Sequence, residues 1–193
     1  MAKKRTDKDE SRNLILNAAL DVLRERGSSN VTVASVAERA GCAKGLVHYH
    51  FKTKQNLWHA AIEHLTRHRI ASWSDALASL SPSEAVQQTW ALLVRESEDG
   101  TAAAWFSMLD ASSELPADLI TEAIETFAAA VADACRRMFE RLDVRTRIRP
   151  EEIGWMLASM VSGTGFLLTR GADAPKLENA YAAAWLGVLS LIE

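Results

Sequence analysis

Residues 32–51 read Thr-Val-Ala-Ser-Val-Ala-Glu-Arg-Ala-Gly-Cys-Ala-Lys-Gly-Leu-Val-His-Tyr-His-Phe. Two short amphipathic segments flank Gly41. In the first, Val33, Val36, Ala37 and Ala40 fall on one side of a helix. Thr32 stands just before it, where a hydroxyl can accept from a free backbone N–H. Gly41 supplies the positive φ of a tight turn, a conformation that costs a residue with Cβ about 1–2 kcal/mol. In the second segment Val47 and Phe51, four apart, point inward. Lys44, Gly45, Leu46, His48, Tyr49 and His50 are left for the outer and flanking faces. Helix, glycine turn and helix make a helix-turn-helix, although any short helical hairpin shows the same bare pattern.

The rest of the chain is made of similar material. Of 193 residues, Gly supplies 9 and Pro 4, while 32 are Ala and 22 Leu, which favours helices over the turn-rich strands of a sandwich or barrel. Hydrophobic residues at 48% and charged residues at 24% speak against a disordered chain. No apolar run reaches the roughly 18 residues of a membrane span, and the charged start Met1–Glu10 is no secretory signal. Two cysteines, Cys42 and Cys135, build neither a disulfide framework nor a thiolate zinc site, which fits the cytoplasm.

Periodicity and capping signals predict about nine helices and no strand, over residues 9–26, 33–40, 44–51, 54–78, 82–98, 102–113, 116–142, 150–169 and 175–192. Gly27 closes the first. Pro82, Pro116, Pro150 and Pro175 each open or precede a helix, and Ser81-Pro82-Ser83-Glu84 reads as a capping box. The first eight residues and 143–149 read as flexible. In the seventh helix Ile120, Ile124, Phe127, Val131, Ala134, Met138 and Leu142 form one buried stripe. The last two helices are apolar almost all round, so something must cover them. A second copy of the chain would do so, with Ala158, Ser162, Gly163, Gly165, Ala182, Ala183 and Gly187 permitting close approach. The alternative is that they form the central core of a monomer.

Charge is unevenly spread. Residues 1–60 hold 11 Lys/Arg and 6 Asp/Glu, a net of +5, whereas residues 61–193 hold 11 and 19, a net of −8. A basic head on an acidic body points to a polyanion at the head.

The run Ile15-Leu16-Asn17-Ala18-Ala19-Leu20, then Gly27, then Thr32 with Val36-Ala37-Glu38-Arg39-Ala40-Gly41, then Lys44 through Leu57 resembles the N-terminal domain of the tetracycline-repressor (TetR) family. The match covers about the first 57 residues at the right spacings. It implies an all-α fold in two parts, a helix-turn-helix DNA-binding domain over residues 1–55 and a helical ligand-binding and dimerisation domain over 56–193. This chain departs from the family pattern at Ala43, where a capping Ser or Thr is frequent, at His48, where Tyr is common, and at Leu46, which replaces a small polar residue.

The implied function is a transcriptional regulator, a repressor released from a pseudo-palindromic operator when a small apolar or aromatic inducer binds. Its partners would be duplex DNA, the inducer and a second copy joined through the last two helices. No cofactor, metal or membrane is called for. The third helix would enter the major groove, whose edges distinguish all four base pairs. Lys44 would reach a guanine edge or a phosphate, with Gly45 beside it on the DNA-binding face. Leu46 offers a thymine methyl only apolar contact. Tyr49 would touch a thymine methyl, a sugar or a phosphate, or else serve as a packing aromatic. His48, His50, Lys52 and Lys54 suit phosphates, with helix packing an equal reading for His50. Thr32 would cap its helix and touch a phosphate. Lys3, Lys4 and Arg5 would form a disordered basic arm. In the body Trp90, Trp105, Met108, Phe127 and Met160 either line a ligand cavity or fill a core.

Other patterns carry less. His64 and His68 are four apart, with His59 nearby, but no supporting Cys or Asp makes a metal site. Cys42 reads as a turn-packing residue rather than a redox sensor. A helical enzyme using histidine as acid or base would be a different class, yet the sequence shows no paired carboxylates near a histidine and no phosphate loop. A protein-only helical adaptor is the third possibility.

Overall fold

The computed structural model describes residues 2–26, 32–78, 81–110 and 117–191, and the side chains of 8–25, 32–78, 81–107 and 118–191. Among the described residues there are nine helices and no strand: α1 (Ala2–Arg26), α2 (Val33–Arg39), α3 (Lys44–Phe51), α4 (Lys54–Leu77), α5 (Pro82–Glu98), α6 (Thr101–Asp110), α7 (Ala117–Arg141), α8 (Pro150–Thr169) and α9 (Ala174–Leu189). The chain divides into two compact units. One holds everything up to Leu65 together with Ala103–Thr121, and the other holds Thr66–Ala102 and Glu122–Glu193.

Local chemistry sets the helix ends. Thr32 Oγ1 accepts from the Ser35 N–H at 3.1 Å while Ser35 Oγ accepts from the Thr32 N–H at 2.9 Å, a reciprocal capping box. Ser81 Oγ accepts from the Glu84 N–H, but Glu84 returns to the Ser81 hydroxyl rather than its backbone, at 3.0 Å. Asp173 accepts from the Lys176 N–H at 2.9 Å, so α9 starts one residue before Pro175. The expected flexible start is instead helical from Ala2, because Ala2–Lys8 contains no glycine or proline to stop the α1 ladder. The disordered arm is corrected accordingly for its backbone; the side chains of Lys3, Lys4 and Arg5 lie outside the described residues. So do Gly27, Pro116 and Ile192, and with them the expected helix ends there.

The first unit is held by Ile15, Leu16, Ala19, Val22 and Leu23 of α1, with Val36, Val47, Phe51 and Leu57 also buried. α2 packs against both α1 and α3. His64 Nε2 lies 3.1 Å from Asn17 Oδ1, which ties α4 to α1.

The second unit buries Trp73, Leu77, Leu93, Phe127, Val131, Met138, Ile153, Leu157, Val161 and Trp185 in one cluster. The α7 stripe runs through it from Phe127 to Leu142; Ile120 and Ile124 are half-buried. Helices α7 and α8 meet at Gly154, where a Cβ would stand 2.5 Å from Ala132 Cβ. Several polar groups of this core are paired. Arg69 and Glu96 are buried together, Nη2 to Oε2 at 2.9 Å, and Trp73 Nε1 donates to Glu96 Oε1 at 3.1 Å. Tyr181 donates to Thr89 Oγ1 at 2.8 Å, and Thr89 donates to the Ala85 carbonyl at 2.7 Å.

Candidate nucleic-acid interface

The interface is built on α3. Gly41, at φ +63°, makes the turn, and the α2 end and α3 start follow from it. Val47 and Phe51 are buried, which fixes the rotation of the helix. Lys44, Gly45, His48 and Tyr49 are therefore exposed, and Leu46 and His50 are half-buried. A Cβ at Gly45 would meet nothing within 4 Å, so the backbone there is open to close approach. Ala43 makes no side-chain cap at the start of α3, and the Leu46 N–H turns back to the Ala43 carbonyl at 2.9 Å.

Tyr49 is 56% exposed. Lys8 Nζ lies 5.6 Å and Lys52 Nζ 5.5 Å from its ring centroid, so one aromatic sits between two ammonium groups. Arg12 lies 5.4 Å from the Phe51 ring. Lys8 and Arg12 of α1 thus join Lys44 and Lys52 in one basic surface. Sequence reading had not assigned the two α1 residues, since nothing local marks them; their four-residue spacing on α1 is the available signal. Lys52 takes φ +63° just after α3, a strained conformation for a residue with Cβ. Lys54 is half-buried at the start of α4, where Thr53 Oγ1 accepts from the Asn56 N–H at 3.1 Å. Thr32 is exposed while it caps α2.

His50 is drawn toward the protein. Its Nε2 lies 2.9 Å from Ser11 Oγ of α1, and its ring meets Tyr49 edge-on at 5.2 Å. Burial, then the charges of Lys8 and Arg12, hold its pKa below the ordinary histidine value. A neutral imidazole positions α3 against α1 better than it neutralises a phosphate.

The predicted ligand residues are placed as follows. Phe127 is buried edge-on to Trp73 at 6.0 Å, with the Arg69 guanidinium 4.7 Å from its centroid. Trp90 is half-buried and tilted against Tyr181 at 5.6 Å. Met160 packs against the same core. Trp105 is buried in the first unit. The Met108 side chain lies outside the described residues. Sequence reading missed Arg69 and Glu96, whose pairing across 27 positions leaves no local pattern. An open cavity of about 410 Å³ is lined not by Trp90, Trp105, Phe127 or Met160 but by other residues of α7 and α8, with Glu125, Asp133, Glu151 and Trp155 at its wall and Arg136 paired to Asp133.

The remaining titratable candidates are quiet. Burial raises the Cys42 thiol and pushes Cys135 up to about 12, disfavouring the reactive thiolate at both. Among the described residues no group of three His, Cys, Asp or Glu is placed to hold a metal, and no helix is long and apolar enough to cross a membrane.

Residues 15–61 match the family model for bacterial regulatory proteins of the tetR family. The HTH-type transcriptional regulator BetI of Brucella canis is 27% identical over 174 residues, covering 89% of this chain and 86% of that protein. BetI of Klebsiella pneumoniae is 25% identical over 79% of this chain and 78% of that protein. Among solved structures, the reduced form of NemR from E. coli is similar with a TM-score of 0.77 at 16% identity, covering 95% of this chain and 98% of that one. A TetR transcription regulator from Haloarcula marismortui gives 0.72 at 19% identity, covering 96% and 100%.

Proposed function

From the premise that this chain belongs to the TetR family of DNA-binding transcriptional regulators, we propose that it is a cytoplasmic repressor released by a small apolar or aromatic ligand. Residues 1–55 read the operator, and residues 56–193 bind the ligand and dimerise. The observation that carries the reading is the outer face of α3: Val47 and Phe51 are buried while Lys44, Gly45, His48 and Tyr49 face solvent beside Lys8 and Lys52. Lys44 and Tyr49 meet base edges; Lys8, Arg12, Lys52, Lys54 and Thr32 meet phosphates and fix register. Leu46 and His48 flank the groove, and His50 holds α3 to α1.

Two copies joined through α8 and α9 present two α3 helices to half-sites about 34–36 Å apart, or a multiple of that. Support for the dimer is the apolar surface of these helices, where Trp155, Met156, Phe166, Leu167 and Leu186 are all at least 42% exposed. The ligand acts by preferring a conformer with mismatched heads, which needs differential affinity for the two conformers. Trp90, Phe127 and Met160, which share the second unit, are the proposed contacts.

The test is a thermal-shift screen of apolar and aromatic compounds. A true inducer raises Tm, quenches tryptophan fluorescence and weakens binding to a duplex selected from a random pool. Compounds that raise Tm yet leave DNA affinity unchanged contradict ligand release.

A further inference from the structure

We propose that α8 pairs with α8 of a second copy of this chain, antiparallel and in one register centred on Val161. The proposal rests on the reading that the last two helices dimerise, and it adds which residues meet.

On α8 and its C-cap, six exposed residues succeed one another at steps of four, three, four, three and four: Glu152, Met156, Ser159, Gly163, Phe166 and Arg170. That is the spacing of a coiled-coil seam rather than of a broad globular face. Trp155 and Leu167 flank it. The order along the seam is acid, large, small, small, large, base. Each residue has its counterpart at the same distance beyond Val161: Glu152 and Arg170 at nine, Met156 and Phe166 at five, Ser159 and Gly163 at two. In an antiparallel pair crossing at about 20°, Glu152 stands level with Arg170 of the partner subunit, and Met156 with Phe166 of the partner subunit. Ser159 then meets Gly163 of the partner subunit. A parallel pair would set Glu152 against its own copy and lose the match.

Two further observations point the same way. A Cβ at Gly163 would meet nothing within 4 Å, so nothing in its own chain asks for a glycine that an exposed helix disfavours. Gly154, by contrast, is demanded by Ala132 of the same subunit. The Arg170 guanidinium lies over its own Phe166 ring at 5.2 Å, which holds the charge at the seam. Glu152, bound to Arg149 at 2.8 Å, keeps acceptor sites for a second donor.

Disulfide trapping tests the register in a Cys42→Ser background. Ten residues of helix, about 15 Å, separate positions 156 and 166 within one chain and separate either from its own copy across the pair. Met156→Cys or Phe166→Cys alone should therefore not cross-link, since a disulfide needs Cα atoms within about 7 Å. The double variant should cross-link to dimer on mild oxidation. A double variant that stays uncrosslinked, or single variants that cross-link as well, overturns the register while a dimeric wild type in sedimentation keeps the dimer reading. A monomeric wild type overturns both. Should the reduced double variant fail to dimerise, charge exchange decides. Glu152→Lys and Arg170→Glu should each raise the dimer Kd by about tenfold, and their combination should restore it. A combination no tighter than either single variant overturns the register.

Discussion

In the proposed interface Tyr49 reads bases and Lys54 holds the backbone. Tyr49 projects from the exposed face of α3, and Lys54 sits at the start of the next helix. Tyr49→Ala is expected to weaken binding to a selected operator by roughly 1–3 kcal/mol more than binding to a scrambled duplex. Lys54→Ala is expected to weaken both alike and to reduce the salt slope by about one. Titrations at one fixed salt concentration, on variants shown to be dimers, distinguish the two. His50 carries a pH signature. Its pKa lies below the ordinary value of 6.5 in the folded protein, so the unfolded chain binds more protons as pH falls through that range. Stability should therefore decline as pH drops below about 6.5. In urea titrations across that range, His50→Gln should flatten part of the decline; an unchanged slope would show that other groups cause it.

At the scale of elements, the capping box of α2 and the crossing of α7 with α8 make separate predictions. Thr32→Ala removes the acceptor for the Ser35 N–H and should cost about 1 kcal/mol in urea unfolding. Gly154→Ala forces a methyl against Ala132 and should cost about 1–3 kcal/mol. Gly163→Ala, facing open space, should leave the monomer's stability no lower. The sequence announced what is local. Val47 and Phe51 at a spacing of four, Gly41 before α3 and Ser81-Pro82 before α5 each carry their own geometry, so the helices and the outer face of α3 were legible. The approach of Lys8 and Lys52 to one tyrosine ring was not, because it depends on how α1 lies against α3. The same holds for Arg69 with Glu96 and for Gly154 with Ala132: partners brought together by packing leave no periodic trace. The start of α1 carries no capping signal, yet Lys and Arg are good helix formers and the helix runs from Ala2.

For the whole molecule, the proposed dimer would join the basic charge of residues 1–60, the acidic charge of the remainder and the exposed apolar residues of α8 and α9 in one purpose, the presentation of two DNA-reading heads. Gly163→Glu places a charge at the centre of the proposed seam and should give monomers in sedimentation, with operator affinity falling far more than nonspecific affinity. An intact dimer would remove Gly163 from the interface. If the exposed face of α3 reads DNA sequence, selection from a random duplex pool will show it. The wild-type protein should enrich a pseudo-palindromic sequence and bind it at least about a thousandfold more tightly than a scrambled duplex, with both affinities falling steeply as salt rises. Equal affinity for the enriched and scrambled duplexes, or no salt-dependent binding to either, would contradict it.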